Sequence, residues 1–240
     1  MKETADLYLV ATPIGNLEDI TLRAIRVLRE VDFIAAEDTR LSRRLLEEHG
    51  IDTPMTSYHD FSRAGVLSRL LGRLQSGERC ALISDAGMPG ISDPGYRLVT
   101  AAVEAGLTVA PIPGPSAHTA ALVASGLPTD RFLYEGFLPR KKGRNTRFLA
   151  MTQNSVTTVF YESPHRLMNA LERLAELVPE RRLVLARELT KAHEEFQRGS
   201  VAELLQEMQT RSPRGEYVLV LEGTAMYDKR QRRTEDETSE

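Results

Sequence analysis

The chain has 240 residues, 41% hydrophobic and 27% charged, with a formal net charge of −3; that is the balance of a soluble globular protein of one large domain or two of roughly 110 residues. An acidic chain is not a general nucleic-acid binder, so any contact with a polyanion must come from local basic patches. No apolar run approaches the roughly 20 residues of a membrane span, Met1–Asp6 carries acids and no apolar signal core, and a lone Cys80 with five scattered histidines allows neither an internal disulfide nor a recognisable zinc spacing, so no metal is expected and the cytoplasm is the expected compartment.

Leu7–Ala11 reads as a first strand, ending at the turn Thr12-Pro13-Ile14-Gly15-Asn16. A helix follows, capped by Asp19 or Thr21, with Leu22, Ile25, Leu28 and Val31 as its apolar stripe. Phe33–Ala36 is the next strand; it ends at Glu37-Asp38-Thr39-Arg40, and an amphipathic helix carrying Leu41, Leu45 and Leu46 comes after it. Met55–His59 reads as a third strand, with Asp60 solvated beside it, followed by a helix with Val66, Leu67, Leu70, Leu71 and Leu74.

Cys80–Ile83 is a fourth strand, and the run Ser84–Gly95 behind it is unusual. It holds three glycines, two prolines and two aspartates in twelve residues, more turn chemistry than a simple connection needs. A loop at the carboxyl end of a parallel strand is where open α/β sheets bind ligands. Without the Lys and Ser/Thr of a P-loop, and with two carboxylates, it suits a ligand with an amine, hydroxyls or positive charge rather than a phosphate. A helix near Gly95–Ala105 and the strand Thr108–Ile112 complete this half, so strands alternate with helices and the sheet is mainly parallel.

Pro113-Gly114-Pro115-Ser116 is the candidate hinge, giving domains 1–113 and 114–225, with a disordered tail 226–240 that has almost no apolar residues. After the helix Ala117–Ala124, the second half carries strands at Phe132–Phe137, Thr157–Tyr161, Leu183–Ala186 and Glu216–Glu222, with Glu194–Gly199 as part of a hairpin. Its sheet is therefore mixed. Phe132, Tyr134 and Phe137 read as core. Arg140–Arg147 carries five positive charges in eight residues, either a solvated loop or a phosphate contact.

Six motifs stand in order: Ala11–Leu17, Ala36–Arg40, Asp85–Gly95, Pro113–Ala117, Phe160–Arg166 and Ala186–Lys191. Together they resemble the bacterial small-subunit ribosomal RNA methyltransferase I family, cytidine 2′-O-methyltransferases of the tetrapyrrole methylase-like superfamily, over roughly Leu7 to Gly223. The resemblance implies two α/β domains with S-adenosylmethionine in the interdomain cleft, a homodimer, and as substrate a cytidine of 16S rRNA in the decoding region of the small subunit. Tetrapyrrole-modifying relatives carry a more glycine-rich first turn, so Thr12–Asn16 points to the RNA branch.

On that resemblance Pro13, Asp85, Ala86, Gly87, Ile91, Ser116, Ala117 and Tyr161 are cofactor residues. Ser116 equally reads as a plain helix cap. A ribose hydroxyl is a weak nucleophile that needs a proton acceptor; Glu37, Asp38 and His59 are the candidates, the last because its ordinary pKa suits neutral pH. Arg40, Arg140, Lys141, Lys142, Arg144, Glu162, His165, Arg166 and Lys191 are candidates for holding RNA, with Glu188–Lys191 also readable as a plain i,i+3 ion pair. A methyltransferase acting on a small tetrapyrrole and a non-catalytic ribosome-assembly protein remain the alternatives.

Overall fold

The computed structural model describes residues 5–59 and 64–238; Asp60 lies outside them. The chain divides into two compact units, Met1–Ser116 and Ala117–Glu240.

In the first unit β1 (Leu7–Val10), β2 (Phe33–Ala36), β3 (Met55–Ser57), β4 (Cys80–Ile83) and β5 (Val109–Ile112) form a parallel sheet in the order β3-β2-β4-β1-β5. Helices α1 (Leu22–Glu30) and α2 (Thr39–Glu48) supply Ala24, Val27, Leu28, Leu45 and Leu46 to the core on one face. Helices α3 (Ala64–Gln75) and α4 (Tyr96–Glu104) supply Leu70, Leu74, Leu98 and Ala102 to the other. Covering both faces is why β2 and β4 are buried at every residue and read as unbroken apolar runs. Cys80 sits between Leu7 and Phe33 in the ladder, and burial pushes its thiol up to about 12, so it packs as a small apolar residue. The in-step register, Ala36 beside both Ser57 and Ile83, brings the carboxyl ends of the strands to one edge.

Two stripes differ from the pattern expected. Leu22 is 87% and Leu41 is 61% exposed. At 100° per residue Leu22 falls opposite the inward set Ala24, Val27 and Leu28, and the inner place beside Leu41 is taken by Ser42.

The second unit is a mixed sheet in the order β6-β7-β10-β8-β9, from β6 (Phe132–Phe137), β7 (Thr157–Glu162), β8 (Arg182–Arg187), β9 (Glu195–Ser200) and β10 (Tyr217–Leu221). Only β6 and β7 pair in parallel. Helices α6 (Arg144–Thr152), α7 (Pro164–Leu177) and α8 (Val201–Gln209) bury Phe148, Leu167, Leu171 and Leu204 against Tyr217, Leu219 and Leu221. The alternate residues Val218 and Val220 point to the opposite face, where α5 (Ala117–Ser125) lies against β7, β8 and β10.

Two expectations are corrected here. Phe132 and Phe137 are 42% and 57% exposed rather than core, because β6 is an edge strand and its bulge between Tyr134 and Gly136 resets the pleat. Residues 224–238 form helix α9 (Thr224–Thr238) rather than a disordered tail. Its first turns are pinned: Tyr227 donates to Glu180 at 2.9 Å, and Arg230 pairs at 3.0 Å with Glu222, which is fully buried. Among the described residues no helix is long and apolar enough to cross a membrane.

Candidate active site

The carboxyl edge of the first sheet is stitched by backbone. Thr12, just past β1, exchanges two hydrogen bonds with Gly87 at 2.9 and 3.0 Å, and its hydroxyl donates to the Ser84 carbonyl at 3.0 Å. Gly87 takes φ +87°, and a Cβ there would touch Ile14 and the Pro115 carbonyl. A Cβ on Gly114 would come within 2.9 Å of the Ala11 Cβ. Three loops, after β1, β4 and β5, thus meet through backbone because glycine leaves room for it.

The acids of this edge are interlocked. The Asp38 N–H donates to Asp85 Oδ1 at 3.0 Å, and the Asp85 N–H donates to the Glu37 carboxylate. Glu37 forms no ion pair among the described residues. Its pKa is raised, first by burial and then by the charge of Asp85, against smaller opposing effects that include His59. Asp93 is pushed up to about 7, chiefly by burial and by the charge of Glu37, with a Ser84 hydrogen bond opposing. Asp93, half-buried and repelled by Glu37, thus gives this edge a carboxyl that exchanges its proton near neutral pH, which suits a general base.

Asp38 is in the opposite state. Arg40 donates to it from Nη2 at 2.8 Å, from Nε at 3.2 Å and from the backbone at 2.8 Å. These bonds hold its pKa down at about 2, so it is a poor proton acceptor. His59 is exposed, 3.3 Å from the Ser57 hydroxyl. Pro13 is half-buried; Asp85, Ala86 and Ile91 are exposed on the loop; Ser116 closes the first unit and Ala117 opens α5.

Sequence reasoning passed over Asp93, Ser84 and Thr12 as site residues. The signal for Asp93 was its place before Pro94-Gly95 and a helix, at the end of a loop already singled out. Among the described residues no group of three or more His, Cys, Asp or Glu is placed to hold a metal ion.

In the second unit several residues expected on a phosphate-facing surface point inward. Glu162, with its side chain wholly buried, accepts from Arg144 at 2.7 Å and pairs with Arg166 at 2.8 Å. Arg166 also donates to the Ser163 hydroxyl and the Leu138 carbonyl. Arg144 is 8% exposed and lies against the Phe148 ring. Residue 144 begins helix α6, and the first turn of that helix aims its side chain at the end of β7. Arg147 pairs with Glu135 at 3.4 Å. Of the basic run only Arg140, Lys141 and Lys142 are exposed without an ion pair among the described residues. Lys191 is held by Glu188 at 2.9 Å and Glu216 at 2.8 Å. His165 is exposed on the first turn of α7. Tyr161 stacks edge-on to Tyr134 (centroids 5.6 Å) and against Phe137 (5.1 Å), with His118 at 4.5 Å from Tyr134.

The sequence profile of the Tetrapyrrole (Corrin/Porphyrin) Methylases matches residues 6–205, and the chain belongs to that family. It is similar to proteins named ribosomal RNA small subunit methyltransferase I. The Synechocystis protein is 50% identical over 93% of this chain and 81% of its own length, and the Thermotoga maritima protein 45% over 90% and 98%. The Escherichia coli O157:H7 protein is 50% identical over 90% of this chain and 77% of its own. Among solved structures, diphthine synthase aligns with a TM-score of 0.71 at 16% identity (90% of this chain, 89% of that one). Uroporphyrin-III-C-methyltransferase from Thermus thermophilus aligns with 0.60 at 23% (94% and 98%). These likenesses show the shared fold.

Proposed function

We propose that this chain methylates small-subunit ribosomal RNA, transferring the methyl group of S-adenosylmethionine to the ribose 2′-hydroxyl of a cytidine in the decoding region. In this reading it works as a cytoplasmic homodimer on RNA presented by the small ribosomal subunit. One observation carries the chemical part: the acid pair Glu37 and Asp93, neither in an ion pair among the described residues, stands at the same sheet edge as the backbone-lined loops. The names of relatives near 50% identity support the RNA part.

The residues present fit the methyl donor. Thr12, Gly87 and Gly114 bring three backbone loops together with little side chain between them, as a folded amphipathic molecule requires. In the first unit Pro13, Ala86, Gly87 and Ile91 would line it, with Ser116, and the exposed Asp85 carboxylate would take its amine or hydroxyls; Ala117 and Tyr161 of the second unit stay candidates on the resemblance alone. When bound, the donor supplies an electrophilic methyl on a positively charged sulfur. The protein's part is to align the ribose oxygen and take its proton. Glu37 with Asp93 accepts the proton, Asp38 orients Arg40, and His59 adjusts the charge on Glu37. Arg144, Glu162 and Arg166 are assigned to holding the second unit together, and Lys191 to its ion-pair cluster. Arg140, Lys141, Lys142 and His165 stay on the RNA side.

The test is transfer of labelled methyl to isolated small subunits lacking the modification, with naked rRNA in parallel, followed by nucleoside mapping. Label on a cytidine ribose is the expected result. Label on a base, or none despite donor binding, would overturn the reading.

A further inference from the structure

Helix α2 carries its charges in the order its own dipole disfavours. Arg40, Arg43 and Arg44 fill its first half and Glu47 and Glu48 end it; no acid stands in its first turn and no base in its last. A helix gathers partial positive charge at its N-terminus and negative at its C-terminus, so both groups are misplaced. The helix forms because Ser42, Leu45 and Leu46 are buried and Asp38 caps its first turn, not because the charges along it help.

The three arginines are exposed. Spaced i, i+3 and i+4, they share one face over about 6 Å of axis. Arg40 is steadied by Asp38, which is itself bonded to the loop carboxylate of Asp85. Neither Arg43 nor Arg44 forms an ion pair among the described residues. Leu41, next to Arg40 in the chain, is also exposed. The row therefore starts at the acid-lined edge and runs away from it along the helix. Arg43 and Arg44, two guanidinium groups without an ion pair among the described residues on a helix whose dipole they oppose, extend the row from Arg40 and call for an anionic partner.

We propose that the α2 row, Arg40, Arg43 and Arg44, grips consecutive phosphates of the RNA strand and so sets the target ribose against Glu37 and Asp93. The inference rests on the reading that the substrate is RNA, and it goes beyond it by naming where the strand runs. Guanidinium groups suit phosphate because they offer planar paired donors.

The test compares wild type, Arg43→Gln/Arg44→Gln and, as a control of equal charge change, Arg232→Gln/Arg233→Gln on α9. Gln keeps the helix propensity of Arg. Affinity for isolated small subunits is measured over a range of KCl concentrations, with S-adenosylmethionine binding and thermal melting as controls. The α2 variant should lose about tenfold or more in affinity, and its salt slope should flatten by about 0.7 per lost phosphate contact. Donor binding should stay at wild-type level, and melting should stay level or rise slightly because the removed charges oppose the helix dipole. An affinity and slope matching the α9 control would overturn the inference while wild-type methylation of RNA leaves the functional reading standing. Wild type that binds donor but neither binds nor methylates RNA would overturn both.

Discussion

Two glutamates close two strands, and their surroundings are opposite. Glu162, at the end of β7, is wholly buried and saturated: Arg144, Arg166 and the Ser163 N–H all donate to it. Glu37, just past β2, is half-buried and faces Asp85 and Asp93 with no ion pair among the described residues. A buried acid with its cations in place holds structure together, since removing one member leaves charge stranded. Acids set against acids cost stability and raise one another's pKa, which is the pattern of a site with chemistry to do. Neighbouring sequence does not tell the two cases apart; what faces the carboxylate after folding does.

The largest expected effect sharpens the structural side. Glu162→Ala leaves Arg144 and Arg166 unpaired in the second unit, and urea unfolding should show a loss of about 3–5 kcal/mol. Stability kept with RNA affinity lost would make Glu162 a binding residue instead. On the other side of the comparison, Asp93→Asn should stabilise the fold above neutral pH. Asp93 sits near 7 in the folded chain against an ordinary value of about 3.9. The native state thus binds more protons than the unfolded one between about pH 4 and 7, and stability falls as pH rises through that window. Discounted for the solvent that reaches this part-exposed group, the gain in the variant at pH 8 over that at pH 4 should be about 1–2 kcal/mol. Melting curves at the two pH values check it, and an equal shift at both would show that folding does not raise the Asp93 pKa. The smallest effect is at Lys191, whose two ion pairs are partly exposed. Lys191→Met should cost under about 1 kcal/mol and leave RNA affinity unchanged in a filter-binding assay; a lost affinity would return Lys191 to the RNA surface.

Much of the fold was legible. β1, β2, β4 and β6 lie where their apolar runs place them, and the alternation of strands and helices gave the parallel sheet of the first unit. Helix α8 was missed although Ser200 and Glu203 form a capping box, a signal present in the sequence. Helix α9 was not legible, because its anchors Glu180 and Glu222 are supplied by distant parts of the chain. The site divides the same way. The Asp85–Gly95 loop announced itself by composition, while the coupling of Asp93 to Glu37 depends on β2 and β4 being neighbours. Arg144 and Lys142 looked alike in sequence, yet the start of α6 turns one inward and leaves the other exposed.

The central claim is that Glu37 and Asp93 together take the ribose proton. It is tested most directly by single-turnover methyl transfer to small subunits across pH 5–9, in wild type and Glu37→Gln. The wild-type rate should rise through a pH near 7, where Asp93 loses its proton. In Glu37→Gln the rate should fall by about 10²-fold, and its inflection should move to lower pH because the charge that raises Asp93 is gone. A full rate in the variant, or an inflection that does not move, would contradict the account.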